Sequence, residues 1–113
     1  MKQVVVVLDI GKTNKKIALY DKELALLDMK SRSFLALPLG EDLRQEQVDA
    51  IEGWLLATLK EIAATYDVRA ISVTTHGAAA VCVGEDGLPV VPVIDYTCEV
   101  DEGVHTRFAR AVG

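Results

Sequence analysis

Five apolar residues in a row, Val4-Val5-Val6-Val7-Leu8, run straight into Asp9-Ile10-Gly11-Lys12-Thr13-Asn14-Lys15-Lys16. This junction restricts the fold more than any other stretch of the chain. A β-branched run bounded by a glycine suits a strand buried on both faces. After Gly11 the apolar pattern resumes from Lys16 to Asp21, with Ile17 and Leu19 on one face of a second strand. Tyr20 to Glu23 is short and polar enough to turn. From Leu24 to Leu35, Leu27 and Met29 alternate against Asp28 and Lys30, which gives a third strand. Three strands joined by short turns predict an antiparallel meander.

Pro38 and Gly40 then punctuate the chain. Asp42 and Gln45 have capping-box spacing and predict the start of a helix. Val48, Ile51, Leu55, Leu59, Ile62 and Tyr66 follow at three- and four-residue steps, the apolar stripe of an amphipathic helix. Beyond Asp67, Ala70 to Thr74 reads as another strand, ending in Thr74-Thr75-His76-Gly77. Ala78 to Val83 and Leu88 to Ile94 predict a hairpin turned by Asp86-Gly87. A last helix beginning near Asp101 would carry Val104, Phe108 and Val112. The expected class is α/β, with one strong helix leaving a sheet face uncovered. Such a face exposes apolar surface and makes a homo-oligomer possible.

Gly11-Lys12-Thr13 has the ending of a P-loop but not its spacing. That motif needs a glycine five places earlier, where this chain has Val6, and it feeds a helix rather than a strand. The chemistry still suits an anion. A glycine turn can present backbone N–H groups to a phosphate oxygen, Thr13 offers a hydroxyl, and Lys12 and Lys16 bring positive charge. Asp9 would repel phosphate unless a divalent ion lay between, and Mg²⁺ favours one or two carboxylates with water and phosphate oxygens. The residues alone fit an ordinary hairpin with solvated lysines equally well. His76, following a buried strand, reads either as a structural histidine or as a ligand contact at a strand's C-terminal end.

With 113 residues the chain is one domain or part of one. Its net charge of −5, with a single small cationic cluster at Lys12, Lys15 and Lys16, argues against a nucleic-acid partner. No apolar run approaches the roughly 20 residues that cross a bilayer, and Met1-Lys2-Gln3 leads directly into strand, so the expectation is a cytoplasmic protein with no membrane partner. Cys82 and Cys98 lack metal-ligand spacing and read as free thiols.

The pattern Asp9-x-Gly11-x-Thr13-x-x-Lys16-x-x-x-x-Asp21 resembles the first phosphate motif of the sugar kinase/actin/Hsp70 superfamily. Ile71 to Gly77, followed by the hairpin segment to Tyr96, resembles the N-terminal lobe of FGGY carbohydrate kinases. The resemblance implies a ribonuclease-H-like (actin-like ATPase) domain, here incomplete, with residues 1–113 as the N-terminal portion of the first lobe. It implies ATP and Mg²⁺ as cofactors and a small sugar, a ketose or polyol, as phosphoryl acceptor. By position, Asp9 would orient Mg²⁺ through water, and Gly11, Lys12, Thr13, Asn14 and Lys16 would line the nucleotide phosphates. His76 and Gly77 would line the sugar pocket, joined by Asp95 or Tyr96. The chain departs from the family's pattern at Lys12, where many members have Thr, and at Asp95-Tyr96-Thr97-Cys98-Glu99, where many have Trp-x-Asp before a basic residue. The catalytic base, an aspartate, would lie downstream of Gly113, so the chain alone is expected to be inactive. The alternative is a non-catalytic binding or assembly module of the actin-like superfamily.

Overall fold

The computed structural model describes all residues from Met1 to Gly113. Its main sheet is built from β1 (Gln3–Ile10), β2 (Asn14–Tyr20), β3 (Leu26–Ser33) and β6 (Asp67–Thr75), in spatial order β3-β2-β1-β6. The first three form the expected antiparallel meander, with Leu8 opposite Ile17 and Ile17 opposite Lys30. β6 joins β1 in parallel, pairing Val6 with Ile71 and Ile10 with Thr75. A parallel neighbour needs a crossover, and α1 (Val48–Thr65) lies within it.

Period-two alternation decides which residues α1 covers. Val4, Val6 and Leu8 of β1 and Ile17 and Leu19 of β2 are buried with Ile62 of the helix. Trp54, Leu55, Leu59 and Tyr66 pack around them. Val5 and Val7, on the opposite face, are only half-buried, and Ile71 and Val73 of β6 are exposed. A radius of gyration of 18.0 Å exceeds the roughly 13 Å of a compact chain this long. The C-terminal helix α2 (Glu102–Val112) buries none of its residues.

Two expectations change. Asp42 and Gln45 do not cap α1: Leu43–Gln45 is strand β5, paired antiparallel with β4 (Leu37–Leu39) across a turn in which Gly40 has φ +72°. Gln47 is the N-cap residue, without a side-chain cap bond; its amide instead donates to the Leu35 carbonyl at 2.6 Å. Capping-box spacing is present, but Gln45 is taken up in cross-strand pairing and Asp42 lies in the turn before β5. The hairpin at Asp86-Gly87 is a tight turn with one bridge, Val83 to Pro89, rather than two full strands. Beyond it, residues 93–95 bond to β5: Glu46 N–H donates to Val93 O (2.7 Å) and Asp95 N–H to Arg44 O (2.9 Å). No helix is long and apolar enough to cross a membrane.

Candidate functional site

The turn between β1 and β2 is fixed by backbone geometry. Gly11 N–H donates to Asn14 O at 3.1 Å, and a Cβ at Gly11 would lie 2.8 Å from that same oxygen, so only glycine fits. The Gly11 amide is therefore occupied, and the turn's amides without a backbone acceptor are those of Lys12 and Thr13. Phe34 N–H donates to Thr13 O, and Ser33 donates its hydroxyl to Asn14 Oδ1 at 2.7 Å, tying the turn to the end of β3. Thr13 and Asn14 are exposed.

Alternation divides the lysines. Asp9 and Lys16 are directly opposite in the β1–β2 ladder and lie on the face away from α1. Asp9 is exposed and takes part in none of the chain's ion pairs. Lys15 shares the α1 face with Ile17 and Leu19 and is 1% exposed, its ammonium donating to Lys12 O at 2.9 Å. Burial pulls its pKa down, and the neighbouring Lys12 charge adds to that against the opposing pull of Glu46. The same two-residue step that placed Ile17 and Leu19 in the core also reaches Lys15, a signal the sequence reading did not use.

Lys12 turns toward the segment after β5. Its Nζ lies 3.1 Å from Glu46 Oε1 and 3.4 Å from Asp95 Oδ1, and 5.9 Å from the centroid of the Tyr96 ring. Burial alone would lower its pKa; Glu46 and Asp95 together outweigh that and raise it. Asp95 is buried and saturated with donors. Thr97 gives both its hydroxyl (2.7 Å) and its N–H (2.9 Å) to Oδ1, and Arg44 Nε reaches Oδ2 at 3.3 Å. The Thr97 bonds, and then the Lys12 charge, outweigh desolvation and hold its carboxyl well below the usual carboxylate range. Tyr96 stacks near His76, with ring centroids 5.5 Å apart. His76 is anchored beside β1 by its N–H to Ile10 O (3.1 Å), and Gly77 beside it is exposed.

The structure thus brings Lys12, His76, Asp95 and Tyr96 into one cluster at the C-terminal ends of β1 and β6, with Asp9 and Lys16 on the opposite face of the same strand ends. Glu46 and Arg44, which complete the cluster, carried no signal in the sequence because β5 and the 93–97 segment meet only in three dimensions. No group of three or more His, Cys, Asp or Glu side chains could hold a metal by themselves. An ion at Asp9 would therefore share its coordination with ligand oxygens, as Mg²⁺ on a nucleotide does, and one exposed carboxylate fits that role.

The fold is that of the opening portion of the N-terminal domain of sugar kinases, which is of the actin-like ATPase type. A carbohydrate kinase from Novosphingobium aromaticivorans superposes with a TM-score of 0.85 over 96% of this chain at 28% identity. A xylulose kinase from Rhodospirillum rubrum gives 0.69 over 93% at 25% identity, and Plasmodium falciparum glycerol kinase with ADP gives 0.77 over 96% at 18%. In each case the chain spans 23% of the length of the structure it matches. No protein-family model matches the chain, and neither does any curated protein.

Proposed function

We propose that this chain forms the N-terminal part of an ATP-dependent carbohydrate kinase of FGGY type, which passes the γ-phosphate of ATP to a hydroxyl of a small ketose or polyol. The observation that carries this reading is the glycine-locked turn after β1, with an exposed Asp9 opposite Lys16, in a fold shared at 28% identity with a carbohydrate kinase. Phosphoryl transfer depends chiefly on positioning and charge neutralisation. Asp9 is the residue that would hold Mg²⁺ through water, and the ion would supply charge neutralisation at the triphosphate. The Lys12 and Thr13 amides, the Thr13 hydroxyl, Asn14 and the Lys16 ammonium line the phosphates around Gly11. His76, Gly77, Asp95 and Tyr96 form one wall of the sugar pocket, with Asp95 fixing the wall and Tyr96 presenting its ring. On this reading the proton acceptor for the sugar hydroxyl and the adenine pocket would belong to parts of the kinase other than these 113 residues.

The test is sugar-dependent ADP release across a panel of ketoses and polyols. The full-length protein carrying this chain releases ADP with at least one of them, and residues 1–113 alone release none. ADP release by residues 1–113 alone would refute the division of the site. Failure of the full-length protein with every sugar would refute the kinase.

A further inference from the structure

Behind the turn, on the α1 side of the strand ends, lies a cavity of about 350 Å³. That is within the roughly 300–1,000 Å³ of small-molecule sites. Its walls are apolar, with Ile51, Leu55 and Val93 among them, but Glu46, His76 and Lys15 also line it. Glu46 is 8% exposed. The Lys12 ammonium meets its Oε1 at 3.1 Å, whereas Oε2 has neither an ion-pair nor a hydrogen-bond partner. On the same cavity, His76 Nδ1 is buried and unpartnered.

Buried carboxylate oxygens without donors are costly. Lys12 balances the charge of Glu46 and meets Oε1, but leaves Oε2 without a donor. A ligand with neighbouring hydroxyls would do so: one O–H donates to Glu46, and a second pairs with His76 Nδ1, as donor or acceptor according to the ring's tautomer. The apolar walls then take the carbon backbone. A second carboxylate would be repelled, and a plain hydrocarbon would leave Glu46 Oε2 without a donor.

We infer that Glu46 is a specificity-determining residue that accepts a hydrogen bond from a hydroxyl of a polyol or sugar held in this cavity between α1 and His76. This rests on the kinase reading for the identity of the reacting molecule, but the binding it describes can be measured without ATP.

The test uses the full-length protein with glycerol and xylulose as probes, gluconate as the carboxylate expected not to bind, and monodeoxy analogues of whichever binds. Binding is followed by calorimetry and, separately, turnover by ADP release. Glu46→Gln weakens binding of the polyol or sugar roughly 5- to 10-fold, the difference between a hydrogen bond to a charged acceptor and one to the amide oxygen that replaces it. It also reduces discrimination against one monodeoxy analogue while leaving discrimination at the other hydroxyls intact. Lys12→Gln, which removes the charge partner but not the acceptor, retains that discrimination. Because Glu46→Gln strands the Lys12 charge and could impair folding, Glu46→Asp serves as the second variant: it keeps the charge, shortens the reach and shows the same selective loss. Unchanged discrimination in a folded Glu46 variant overturns the inference, as does identical behaviour of the Lys12 and Glu46 variants or failure of every probe to bind the wild type. Glu46-dependent binding without ADP release sustains the inference and removes the kinase reading. ADP release with Glu46-independent binding does the reverse.

Discussion

Replacing Asp95 by Asn isolates what the buried carboxylate contributes through its charge. Asn keeps the shape and can still accept both Thr97 bonds through its side-chain oxygen, at 2.7 and 2.9 Å. The charge facing Lys12 at 3.4 Å and Arg44 at 3.3 Å is lost. At an effective dielectric of about 20, a pair at the Lys12 distance has roughly 5 kcal/mol of gross attraction, most of it offset by desolvation. Arg44 is half-exposed and adds little. The net loss is therefore about 1–3 kcal/mol at pH 7, the scale of charge-assisted hydrogen bonds, or a fall in Tm of about 4–8 °C per kcal/mol. The sign with pH follows from linkage. The folded-state pKa of Asp95 lies below its unfolded value, so its stabilisation is complete above about pH 4 and disappears as pH falls toward the folded pKa. Denaturant unfolding of wild type and Asp95→Asn at pH 7 and pH 3 reads both effects: the gap is widest at pH 7 and narrows at pH 3. Equal stability at pH 7, or a gap that is independent of pH, would refute the reasoning.

Gly11→Ala places a methyl 2.8 Å from a backbone oxygen of its own turn. It should cost about 1–3 kcal/mol in chemical unfolding, and an unchanged midpoint would show that the turn yields. Leu24 has φ +63° while its side chain is 74% exposed, held there by a turn in which the Glu23 and Ala25 amides donate to Asp21 Oδ1. Leu24→Asn, which tolerates that conformation, should stabilise the chain by about 0.5–1 kcal/mol, visible as a higher Tm.

What was legible in the sequence was local and periodic. The Val run, the Ile17/Leu19 alternation and the Val48–Tyr66 stripe each specify an element because their spacing matches a strand or helix repeat and one face must be buried. Two-sided burial of β1 was only half right, since Val5 and Val7 lack a full covering layer. The parallel β1–β6 pairing and the Lys12–Glu46–Asp95 contacts join residues far apart in sequence, and no periodicity encodes them. Glu46 sits in an unremarkable Arg-Gln-Glu-Gln run, and its backbone is tied to Val93, far away in the sequence. The Lys12 ammonium is directed onto two carboxylates, Glu46 and Asp95, while its amide stays in the turn.

The central claim is that Asp9 acts on the phosphates rather than on the sugar, and steady-state kinetics of Asp9→Asn in the full-length protein tests it most directly. The predicted result is a kcat lower by roughly 10²–10³-fold, the usual cost of removing one transition-state electrostatic group, with the sugar KM changed only slightly. A sugar KM that rises by that factor while kcat holds would contradict it.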